Sequence, residues 1–102
     1  MAVYAVSFRI HNDTDYSRRY ESFTKALTAG AIRSWEETTS FVLVETAESI
    51  DTFCLRIYVG SAFDASKDIY LVMDVEKPSA RFRGKNEYPN TLQALIPFLV
   101  QL

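Results

Sequence analysis

The one histidine of the chain, His11, opens the run His11-Asn12-Asp13-Thr14-Asp15, directly after an apolar segment. A histidine beside a carboxylate at the end of a strand has the makings of a general base. Two carboxylates two positions apart offer the oxygen ligands that magnesium prefers. His11 and Asp13 are therefore the candidate catalytic residues, and Asp13 and Asp15 the candidate magnesium ligands. The plainer reading of the same run is a solvated turn whose Asn and Asp side chains cap a helix. With a single histidine and a single cysteine, Cys54, neither a histidine-rich nor a cysteine-based metal site is available. No GxSxG, HExxH, Walker or dinucleotide-binding glycine pattern occurs.

The second group with chemistry in it is basic. Arg81-Phe82-Arg83, close to Lys85 and Tyr88, mixes cations with aromatics. Cations can hold phosphates and aromatic rings can stack bases. Arg9 joins Arg81, Arg83 and Lys85 as a candidate nucleic-acid contact. The same pattern also suits an edge strand that wards off aggregation with charge. A net charge of −2 argues against a general polyanion binder and leaves room only for a local basic patch. Cys54 falls on an apolar helical face, where a lone cysteine is a small buried hydrophobe.

These residues need elements to hold them. In Ala2 to Ile10, the even positions Ala2, Tyr4, Val6, Phe8 and Ile10 are apolar, whereas the odd positions pass from Val3 and Ala5 to Ser7 and Arg9. Alternation of this kind makes a strand with one face for helices and one that turns polar toward its exit. Tyr16, Tyr20, Phe23 and Leu27 form the stripe of an amphipathic helix from about Asp15 to Ala29, stopped by Gly30. Ala31 to Trp35 reads as a short strand, and Thr39 to Glu45 as a continuous apolar strand of a sheet interior. Ile50, Phe53, Cys54, Ile57 and Tyr58 give a second amphipathic helix ending at Gly60. Ile69 to Val75 is a fourth strand, with Ile69, Leu71, Met73 and Val75 expected inward. Asp74 is expected on the other face, paired with Arg9.

The order strand, helix, strand, strand, helix, strand is the split βαβ plan. The fold class expected is α+β, ferredoxin-like βαββαβ, with a four- to five-stranded antiparallel sheet and helices on one face. Residues 1–102 read as one domain, with a core at 2–76 and a C-terminal strand and tail at 77–102. The fifth strand, Ala80 to Gly84, is expected to expose its arginines. Leu92 to Leu102 is too apolar to lie free in water and is kinked or ended by Pro97, so it packs on its own domain or on a partner. A homodimer with the tail or fifth strand at its interface is expected. No stretch is long and apolar enough to span a membrane, and a soluble cytoplasmic protein is expected.

The element order, Gly30 ahead of the second strand, and Thr39-Ser40-Phe41 leading into an apolar strand resemble the small CRISPR-associated endoribonucleases and the VapD-type ribonucleases. The resemblance covers residues 2 to 83 as a pattern. It implies a ferredoxin-like homodimer that acts on or holds RNA or DNA, with metal-dependent endoribonuclease activity as the enzymatic form. The CRISPR group closes its first strand with Tyr-Asp, where this chain has Ser7-Phe8-Arg9-Ile10 and its nearest aspartate is Asp13. The contrasting expectation is a non-catalytic, antitoxin-like regulatory module that binds a protein partner. No cofactor is implied beyond magnesium.

Overall fold

The strand that opens the chain lies at the heart of one six-stranded sheet. The computed structural model describes residues 1–102. The elements are β1 (Ala2–Arg9), α1 (Tyr16–Thr28), β2 (Arg33–Trp35), β3 (Phe41–Thr46), α2 (Ile50–Val59), β4 (Ile69–Asp74), β5 (Ala80–Gly84), α3 (Pro89–Leu95) and β6 (Leu99–Gln101). The sheet runs β2-β3-β1-β4-β5-β6. All neighbours are antiparallel except β5 and β6, which are parallel. The fold is α+β with a mostly antiparallel open sheet, one strand wider than expected, because the apolar tail returns to pair with β5.

Register decides which residues share a face. Tyr4, Val6 and Phe8 lie opposite Val44 and Val42 on β3, and opposite Asp74, Val72 and Tyr70 on β4. With Phe23 and Leu27 of α1 and Phe53, Cys54 and Ile57 of α2, they make the main core. Each such side chain, fully buried, contributes about 1.5–3 kcal/mol. Phe23 and Phe63 both pack against Tyr70, at ring-centroid distances of 6.0 and 5.1 Å. Offset aromatic pairs of this kind add about 0.5–1.5 kcal/mol beyond burial.

Two expectations are overturned here. In β4 it is Tyr70 and Val72, not Ile69, Leu71 and Met73, that face the helices, because Val72 registers with Val6. Periodicity gives the alternation of a strand but not its phase, and β4 is apolar on both faces. Asp74 accordingly lies opposite Tyr4, at the far end of β1 from Arg9, and no Arg9–Asp74 pair forms. Asp74 Oδ1 instead accepts the Glu76 and Lys77 N–H groups at 2.8 and 3.1 Å, closing the turn after β4.

The tail makes a second core. Ala80, Phe82 and Leu99 are buried there, with Ile69, Leu71, Leu92 and Ile96 packed against them. These β4 and β5 residues point away from α1 and α2, so α3 sits on the opposite face, and the helices do not all share one side. α3 covers only the β4–β6 half. Trp35, Met73 and Val75 remain exposed on that face, beside half-buried Val3, Phe41 and Leu43. No helix is long and apolar enough to cross a membrane.

Candidate functional site

The carboxyl end of β1 is held in place by a buried ion cluster. Asp68, at the entrance to β4, is fully buried. Its Oδ1 accepts the backbone N–H of His11 at 2.8 Å. Its Oδ2 accepts the backbone N–H of Asp64 at 2.8 Å and an N–H of the Arg19 guanidinium. Arg19, itself 4% exposed, also donates to the His11 carbonyl at 3.3 Å and to Asp13 Oδ2 at 3.2 Å. Burial pulls the Arg19 pKa down, but the hydrogen bond to Asp68 and the charges of Asp68, Asp13 and Asp64 outweigh it and leave it raised. Buried charges are tolerated when partners satisfy them in this way.

Gly84 closes the cluster from β5. Its φ of +120° is a backbone conformation open to glycine, and a Cβ there would overlap the Asp68 carbonyl. That carbonyl accepts the Lys85 N–H at 3.1 Å. Asp68 thus fixes both neighbours, holding His11 just after the first strand through its carboxylate and Lys85 after the fifth through its backbone carbonyl.

Above the cluster lies an open cleft of about 810 Å³, lined by Arg9, His11, Asn12, Tyr16, Lys67 and Lys85, with Glu87 and Ile10 completing it. A smaller groove of about 190 Å³ continues from it, sharing Arg9, Lys85 and Glu87 and adding Ile69, Phe82 and Tyr88. Lys67 Nζ lies 2.7 Å from Asp13 Oδ2. The hydrogen bond from Lys67 holds the Asp13 carboxyl below the usual carboxylate range. The His11 imidazole makes no hydrogen bond; only its backbone is engaged.

A census of the cations isolates this place. Arg18, Arg19, Lys25, Arg33, Arg56, Lys67 and Arg81 are all in ion pairs. Arg83 donates to the Tyr70 hydroxyl at 2.9 Å and lies 4.0 Å over the Tyr58 ring. Lys77 sits at the opposite end of the sheet, beside Met1 and Ala2. Three cations are left without side-chain partners, and two of them, Arg9 and Lys85, line the same cleft.

The expected site residues therefore separate. Arg9, Lys85 and His11 come together. Arg81 and Arg83 do not join them: both project under α2, and Arg81 Nε is 2.7 Å from Asp51 Oδ1. Their strand is covered by α2 rather than left as an exposed edge, which is why its arginines are not free. Asp13 lies beside the cleft, bound to Lys67 and Arg19, and Asp15 pairs with Arg18 at 3.1 Å. Asp15 is the residue before α1 but makes no side-chain cap. No three His, Cys, Asp or Glu side chains are grouped so as to hold a metal ion. Cys54 is buried and unpaired.

Lys67 and Asp68, which hold this end of the sheet together with Arg19, are positions that pattern reading passes over. Arg19 did carry a signal, since it lies three residues after Tyr16 and four before Phe23, within the apolar stripe of α1. A charge there calls for a buried acid, and Asp68 supplies it. No family model, curated protein or solved structure matches this chain.

Proposed function

We propose that this chain is a single ferredoxin-like domain that binds RNA or DNA as a cytoplasmic homodimer, through the cleft at the end of β1. The order β2-β3-β1-β4, with β1 antiparallel to both neighbours, supports the ferredoxin-like reading, β5, α3 and β6 being additions to it. One observation carries the binding: Arg9 and Lys85, two partnerless cations beside a free imidazole, open onto one cleft. Phosphate contacts supply most of the affinity of nucleic-acid binding and make it weaken with salt.

The test is fluorescence anisotropy on short RNA and DNA strands over a salt series. Binding that falls steeply with salt, and is lost in Arg9→Gln plus Lys85→Gln but kept in Arg81→Gln, supports this reading. Absence of binding at low salt overturns it. Metal-dependent endoribonuclease activity is the catalytic extension. There His11 would take the proton of the attacking 2′-hydroxyl as the bond from phosphorus to the 5′-oxygen breaks, with water protonating the leaving oxygen; Asp13 is the carboxylate beside it that would hold magnesium. Incubating labelled RNA with magnesium and the wild-type, His11→Ala and Asp13→Asn proteins tests that extension.

A second reading, a regulatory module that binds a protein partner, is favoured by the uncovered apolar half-face carrying Trp35, Leu43 and Met73. The same half-face would serve a two-fold homodimer. Light scattering separates a stable dimer from a monomer whose face awaits another protein.

A further inference from the structure

We infer that the cleft recognises a phosphomonoester, either the terminal phosphate of a nucleic-acid strand or a free nucleotide, in preference to the internal phosphodiesters of a long strand. This inference rests on the nucleic-acid reading and narrows it. A strand backbone is held by a row of cations along its path. Here the free cations form no row. Arg9 and Lys85 are confined to one cleft, and the arginines and lysines elsewhere are neutralised by Asp and Glu or held by tyrosines, apart from Lys77 at the far end.

The charge balance points the same way. With a net charge of −2, the rest of the surface does not attract a polyanion. A phosphomonoester concentrates about −1.5 to −2 charges and three acceptor oxygens at one point, which suits two cations and an imidazole around a single cleft. Lys67 is already matched by Asp13, and Glu87 on the rim is unmatched. Glu87 is the group that would repel a ligand carrying further negative charge. The adjoining groove has an apolar floor in Ile69 and Phe82, and Tyr88 beside it is 72% exposed. A base attached to the bound phosphate can stack there, since an aromatic ring accepts any base.

The test compares hexanucleotides of one sequence carrying a 5′-phosphate, a 3′-phosphate or no terminal phosphate, with adenosine monophosphate as the free nucleotide. Expected is a preference of about tenfold for a phosphorylated end over the unphosphorylated strand, of the order of one charge-assisted hydrogen bond gained. Arg9→Gln and Lys85→Gln should each erase the preference, and Glu87→Gln should tighten phosphate binding severalfold. The three residues are surface-accessible, and circular dichroism checks that each variant is folded. Competition by adenosine monophosphate at concentrations similar to the phosphorylated hexamer assigns the ligand to free nucleotides; competition only by the hexamer assigns it to strand ends. Either supports the phosphomonoester. Equal binding of all three hexamers overturns this inference and leaves nucleic-acid binding standing. No binding of any probe overturns both.

Discussion

The backbone N–H of His11 donates to Asp68 Oδ1 at 2.8 Å, tying the loop that leaves the first strand to the entrance of the fourth. The exposed imidazole is thus positioned from below by a carboxylate 57 residues away in sequence. Asp68→Ala would leave Arg19 buried beside Asp13 alone and would orphan the His11 and Asp64 amides. Removing one partner of a buried pair costs about 3–5 kcal/mol. For a domain of this size that is a large share of total stability, and urea denaturation should show a midpoint far below wild type or no folded baseline. His11→Ala, which removes an unpartnered exposed side chain, should change stability by less than about 0.5 kcal/mol.

Gly84 and Gly30 give a contrast in one substitution type. Gly84→Ala places a Cβ at φ +120° and against the Asp68 carbonyl. Strain in such a conformation costs about 1–3 kcal/mol before any overlap is relieved, so thermal unfolding should show a loss of at least about 2 kcal/mol. The nearest atom to a Cβ on Gly30 is Glu48 Oε1 at 3.4 Å, with no unusual φ. Gly30→Ala should be neutral within about 0.5 kcal/mol.

Stability should also fall at both ends of the pH range. The Asp13 carboxyl is held low by Lys67, Glu48 by Arg56, Asp51 by Arg81 and Asp64 by the Ser66 hydroxyl. A carboxylate with a lowered folded-state pKa contributes stability that is present above its unfolded value, 3.8 for Asp and 4.5 for Glu, and is lost as pH falls through the folded value. The urea midpoint should therefore hold steady near neutrality and drop below about pH 4. At the basic end, burial pushes the Cys54 thiol from 9.0 up to about 12. The folded state then binds its proton more tightly than the unfolded state. That contribution is intact below pH 9.0 and is lost as pH rises toward 12.

Cys54 provides a second, chemical readout. Only the thiolate is nucleophilic, and this thiol is 1% exposed. An aromatic disulfide reagent at pH 8 should react with the native protein slower than with the urea-unfolded chain by orders of magnitude, at the rate of local opening. Fast reaction of the native protein would contradict the packing of α2 on the sheet.

The uncovered half-face should set the oligomeric state. Trp35→Ser together with Met73→Ser removes two exposed apolar groups without entering either core. In the homodimer reading, light scattering should shift from dimer mass to monomer mass, with circular dichroism unchanged. A variant that keeps the wild-type dimer mass would move the interface elsewhere.

The elements themselves follow from local sequence. The Tyr16–Leu27 stripe, the alternation from Tyr4 to Ile10 and the β-branched run at Phe41–Val44 each determine their element, because the period of burial is written in neighbouring residues. Three matters were settled only by tertiary structure. The phase of β4 was one: with Ile69 to Val75 apolar on both faces, only pairing of Val72 with Val6 could choose between them. The path of the tail was another, since Pro97 permits either a kinked helix or the observed turn from α3 into β6 beside β5. The last was the site. Sequence shows which side chains carry charge but not which charges meet. Asp51 and Arg81 lie 30 residues apart, and Asp68 and Arg19 49 apart, and those long-range pairings are what leave Arg9 and Lys85 free. A site defined by two unpaired cations brought into one cleft exists only once the chain has folded.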